Sequence, residues 1–85
     1  MIVQAEVSLY PLRTPSLAGP IAVFLERLRH AGLEIEAGPM SSRVVGEGDQ
    51  VFTALADAFD HVATDHHVVL SVKVSNACPV SGDAA

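Results

Sequence analysis

The densest group of side chains able to do chemistry lies between positions 57 and 67, where Asp57, Asp60, His61, Asp65, His66 and His67 crowd together. Asp57 and His61 stand four apart, a spacing that puts both on one face of a helix and could begin a metal site. The spacing matches no zinc pattern, and histidines near a helix C-terminus are favoured simply because they meet the dipole. We read the cluster as a solvated helix end and expect no metal there. Cys78 is the one thiol. Ala77 and Pro79 flank it and bring no base to depress its pKa, so an incidental thiol is expected. Glu6, Glu34 and Glu36 fall on alternate positions of extended stretches, where carboxylates can serve as acids or bases but more often form the wet side of a strand.

The elements that must position these groups are legible from periodicity. Ile2 to Leu12 alternates Val3, Ala5, Val7 and Leu9 with Gln4, Glu6, Ser8 and Tyr10, the period of two of a half-buried strand. A helix follows, with Ile21, Phe24, Leu25, Leu28 and Ala31 along one stripe. Pro20 suits its first position, Gly19 or Ser16 its cap, and Gly32 its left-handed end. Glu26 and His30 form an i, i+4 pair on its outer face. Leu33 to Ala37 reads as a short strand, Gly38-Pro39 as a turn, and Met40 to Gly46 as a third strand. In that strand Met40, Ser42 and Val44 share one face, and Ser41, Arg43 and Val45 the other. Asp49 is expected to cap a second helix over Gln50 to Thr64, striped by Val51 or Phe52, Leu55, Ala58 or Phe59, and Val62. His67 to Ser75 closes the pattern as a strand with Val68, Leu70, Val72 and Val74 inward.

The order β-α-β-β-α-β, with right-handed crossovers, gives an α+β sandwich: a four-stranded antiparallel sheet with two helices on one face, the ferredoxin-like arrangement. The first and third strands are central neighbours, and the last flanks the first. Residues 1–79 form this one domain, and 80–85 read as a tail. The second sheet face is left uncovered. It carries Gln4, Glu6, Ser8 and Tyr10 beside Ser41, Arg43, Ser71 and Lys73, with Glu6 within reach of Arg43 or Lys73 across strands.

Charge and composition narrow the function classes. Of the 85 residues, 49% are apolar and only 18% charged, against about 25% in an average protein. A small domain has much surface to cover, so this shortage of charge points to a homo-oligomer, a dimer or tetramer built through the sheet. The net charge of −5 and the lack of any Lys/Arg run argue against nucleic acid and anionic membrane. No apolar run approaches the ~20 residues of a transmembrane span. A single cysteine and the lack of a leader-like N-terminus make the cytoplasm the expected location. Among the usual tasks of this fold, copper transfer needs paired loop cysteines and RNA binding needs strand aromatics on a basic face. Neither is present, and nothing suggests the deep apolar cavity of a cofactorless oxygenase.

Several segments together resemble a known family. The stretches VSLYPL at 7–12, GPMSSRVVG at 38–46, the acidic turn before the second helix and SNACP at 75–79 are similar to those of the small thiamine-binding, YkoF-like proteins. The resemblance spans residues 2 to 79, with Ser42 standing where many members have Thr. It implies a ferredoxin-like domain, occurring as oligomers or tandem repeats. The implied activity is binding of thiamine or its hydroxymethylpyrimidine half without catalysis and without a further cofactor.

An aminopyrimidine presents ring acceptors and an amino donor, so it needs paired hydrogen-bonding groups and a stacking or apolar wall. By position, Ser8, Ser41, Ser42 and Asn76 offer the first and Tyr10 the second. A carboxylate, Glu36 or Glu6, suits the amino group or the thiazolium cation. Tyr10 and Asn76 belong to opposite ends of neighbouring antiparallel strands, so a pocket using both must be completed by a second subunit, or by the tail folding back. The competing expectations are an oligomeric regulatory module that no longer binds the vitamin, and a small cofactorless enzyme.

Overall fold

A computed structural model describes residues 1–77. Its order is β1 (Ile2–Leu12), α1 (Ala18–His30), β2 (Glu34–Ala37), β3 (Ser42–Glu47), α2 (Gly48–Ala63) and β4 (His67–Ser75). The strands lie in the order β2-β3-β1-β4, every neighbouring pair antiparallel. This is the ferredoxin-like arrangement expected from the sequence. The expectations for Cys78, for the end of the domain at residue 79 and for the tail lie outside the described residues.

Alternation dictates which strand residues go inside. Val3, Ala5, Val7 and Leu9 of β1 and Val44 of β3 are buried beneath the helices, joined by Phe24 and Leu28 of α1 and by Val51, Ala54, Leu55, Ala58 and Val62 of α2. Val68, Leu70, Val72 and Val74 pack on this core from β4 while remaining partly exposed, as an edge strand must. The choice left open on α2 resolves to Val51 and Ala58: Phe52 faces out, 58% exposed. Phe24, Leu28, Val44 and Val51 are the largest side chains fully removed from water. Each contributes about 1.5–3 kcal/mol of transfer free energy by being so.

Local chemistry departs from expectation at the helix starts. Helix α1 begins at Ala18, so Pro20 occupies its third position; a first-turn amide has no intrahelical acceptor, and its loss there costs nothing. Leu17 stands at the cap and makes no side-chain cap hydrogen bond. Helix α2 begins at Gly48 with Glu47, not Asp49, at the cap. The Glu47 carboxylate is held instead by the Met1 amine at 2.7 Å, a contact that raises the amine's pKa above its ordinary 8.0. The Gly48 amide is satisfied by donating to the Met1 carbonyl oxygen at 2.9 Å. Asp49 sits in the first turn, where its charge complements the dipole and its Oδ1 accepts from the Gln50 amide at 2.9 Å.

The C-terminal end of α1 follows the sequence reading: Gly32 has φ +83° and its amide donates to the Arg29 carbonyl at 3.0 Å. The Glu26–His30 side-chain pair does not form. The His30 ring meets the Glu26 backbone carbonyl at 2.9 Å, and the Glu26 carboxylate turns to Arg29 at 3.4 Å. Arg27 reaches across to α2 and donates through Nε and Nη2 to the two Asp57 oxygens at 3.1 and 3.0 Å. That fork ties the helices together on their solvent side.

Candidate functional site

Strand register builds the open face row by row. Glu6 is opposite Arg43 on one side and Lys73 on the other, and Arg43 is opposite Glu36. One ionisable side chain from each strand therefore crosses the sheet in the order Glu36, Arg43, Glu6, Lys73. Arg43 bonds Glu36 at 2.8 Å, while Lys73 approaches Glu6 to 4.0 Å. Of the two partners considered for Glu6, Lys73 is the one in contact, because Arg43 is drawn to the outer strand. All four side chains are well exposed.

Beside this row the β2–β3 hairpin rises over the sheet. The Gly38 amide donates to the Ser41 carbonyl at 2.9 Å, leaving Pro39 and Met40 at the tip. A Cβ on residue 38 would lie 2.6 Å from the Ser41 carbonyl oxygen, closer than such atoms come, so this closure requires glycine. Ser8 of β1 donates to the Met40 carbonyl at 3.3 Å and fastens the hairpin to the central strand. Between hairpin and charge row runs an open groove of about 720 Å3. Its apolar wall is Pro39 and Met40, and its polar wall is Gln4, Ser41, Ser75 and the charged row; Val74 borders the floor with its side chain turned to the core, as its pairing with buried Ala5 requires. Small-molecule sites commonly occupy about 300–1,000 Å3, and this groove falls within that range.

The residues expected to bind ligand are distributed unevenly around it. Glu36, Ser41 and Ser42 line the groove. Ser42 does so from the buried side: its parity with Val44 turns it toward the helices, and it is only 8% exposed, so it does not stand on the open face. Ser8 adjoins through its bond to Met40. Tyr10 is on the open face, 51% exposed, but opposite Val69 and beyond the groove. Asn76 follows Ser75, which pairs with Gln4, and so lies at the other end of the β1–β4 ladder from Tyr10, as the antiparallel register requires. Sequence reasoning missed Gln4, Met40 and Ser75 as walls of the groove. Their signal was the cross-strand register, which periodicity alone does not supply.

The cluster at 57–67 is dispersed. Asp57 is committed to Arg27, whereas His61, Asp65 and His66 face the start of α1 at the far end of the helical layer. Among the described residues no three metal-ligating side chains converge.

A four-stranded plait with both helices on one face and a grooved, charge-striped open face defines a small ferredoxin-like domain. The chain belongs to the YKOF-related family, whose profile matches residues 2–81. Among solved structures, it is similar to a hypothetical protein from Methanocaldococcus jannascii, at 28% identity and a TM-score of 0.82, covering 91% of this chain and 81% of that one. A protein from Streptococcus pneumoniae matches at 19% identity and TM-score 0.85, covering 98% and 94%. A candidate thiamine biosynthesis/salvage protein from Thermotoga maritima matches at 17% identity and TM-score 0.81, covering 100% and 90%. Comparison with curated proteins gives no match. No helix among the described residues is long and apolar enough to cross a membrane.

Proposed function

We propose that the groove beneath the Gly38–Ser41 hairpin binds thiamine or its hydroxymethylpyrimidine moiety and releases it unchanged. The observation that carries this reading is the groove's lining. An apolar wall of Pro39 and Met40 faces hydroxyl and amide groups from Ser41, Ser75 and Gln4, with the Glu6 and Glu36 carboxylates alongside. An aminopyrimidine needs an apolar surface for its ring and acceptors for its amino group, and a thiazolium favours a nearby carboxylate. Membership in the YKOF-related family supports a thiamine-related role, and the Thermotoga maritima relative points the same way. The chain then serves as a carrier, buffer or sensor in the cytoplasm.

Titration calorimetry with thiamine and, separately, hydroxymethylpyrimidine tests the reading. Saturable heat with at least one ligand, and recovery of that ligand chemically unchanged, is the expected result. No heat at millimolar ligand would remove the proposal and leave a module that assembles but has lost the vitamin. Conversion of the ligand would instead make the protein an enzyme.

A further inference from the structure

The two carboxylates that line the groove are not in the same state. Glu36 stands on the edge strand β2 and accepts a hydrogen bond from Arg43 Nη2 at 2.8 Å. Its charge is answered by a guanidinium that also fixes its position. Glu6 stands on the central strand β1, opposite Arg43 on one side and Lys73 on the other. Arg43 is drawn away to Glu36, so among the described residues Lys73 is the cation that remains to Glu6.

That remaining contact is loose. The Lys73 ammonium lies 4.0 Å from the Glu6 carboxylate, beyond a direct hydrogen bond, and its side chain is 86% exposed. An ammonium on a four-carbon stem is strongly hydrated, and fixing it gives up much rotamer freedom. An exposed pair of this kind gains little, so the ammonium is easily displaced.

A ligand in the groove meets Glu6 on better terms. A cationic ring carried in by a neighbouring ring that rests on Pro39 and Met40 reaches the carboxylate without ordering a flexible chain. Covering the two charges also reduces the screening between them. A thiazolium suits this place, because its charge is spread over the ring and it has no N–H to leave unpaired when water is removed. Lys73 is then a tethered cation that competes with the ligand's own for one carboxylate.

We propose that Glu6 is the residue by which the groove selects a positively charged ligand, and that Lys73 restrains this selection by competing for the same carboxylate. The inference rests on the binding function proposed above and deepens it. The substrate class is the intact thiazolium-bearing molecule in preference to a neutral one of the same shape. One carboxylate and one displaceable ammonium set that preference, while Glu36 is held by Arg43.

The matched probes are thiamine and its analogue in which a neutral thiophene replaces the thiazolium, two ligands of one shape that differ in charge. By titration calorimetry the wild type should bind thiamine about threefold or more tightly than the analogue. Glu6→Gln should lower that ratio to one or below. Lys73→Met should widen it about two- to fivefold, and the widening should be lost or much reduced when the same change is made on a Glu6→Gln chain. Circular dichroism melts establish that each variant is folded. Should Glu6→Gln fail to fold, the wild-type ratio and the Lys73→Met effect decide the matter. Equal affinities in the wild type would overturn the inference, and so would a ratio that neither substitution moves. The same gain from Lys73→Met with and without Glu6 would also overturn it, since Lys73 would then merely repel the ligand's cation. Heat with neither probe in the wild type would remove the binding function and this inference with it. Heat with both at equal affinity would leave the binding function standing and remove the inference alone.

Discussion

Gly38 shows how much of the groove depends on a single backbone approach. Its amide closes the hairpin on the Ser41 carbonyl, and any Cβ there would press on that carbonyl rather than on a side chain that could swing away. Gly38→Ala should therefore cost about 1–3 kcal/mol, as overpacking usually does, and displace the groove wall. Chemical denaturation gives the first effect, and a loss of ligand heat larger than the stability loss explains would give the second. A variant of unchanged stability and affinity would mean that the hairpin is not held as described. Ser42 illustrates the opposite lesson, because its side is fixed by parity alone. With Val44 buried, Ser42 two residues away must turn inward too. The hydroxyl suggested a ligand contact, while the period of two had already assigned it to the core side.

Elements were legible where periodicity was long and unbroken. β1 and β4 run over the residues that their alternation marked, since nine or more residues leave no second register in which the apolar set stays inside. The ends of short elements were not. Met40 and Ser41 continue the alternation of β3, yet once Gly38 and Ser41 pair, Pro39 and Met40 become the hairpin tip and the strand begins only at Ser42. At α2, Asp49 resembles a cap, but the Met1 carbonyl satisfies the Gly48 amide one residue earlier; no local pattern announces a contact made by the far end of β1. The two helices carry a further device, the Arg27–Asp57 fork. Both side chains are about half exposed, so solvent screens the pair and Arg27→Ala should cost only about 0.5–1 kcal/mol despite the two-pronged geometry. A thermal melt that fell much further would show that the Arg27 stem also seals the crevice between the helices.

At the scale of the molecule, one sheet face is spent on the core and the other is left to interact. The sequence disclosed that division, because Val3, Ala5, Val7 and Leu9 point one way and Gln4, Glu6, Ser8 and Tyr10 the other. It did not disclose the groove, which arises only when Gln4 meets Ser75, Glu6 meets Lys73 and the β2–β3 hairpin leans over them. The central claim is that a thiamine-type ligand occupies the groove on this face, and amide chemical-shift mapping during a thiamine titration examines it most directly. The account predicts the largest changes at Glu6, Gly38, Ser41, Arg43 and Val74, with little change around His61 and His66 on the helical layer. Changes concentrated at that helical end, or none at millimolar ligand, would contradict it.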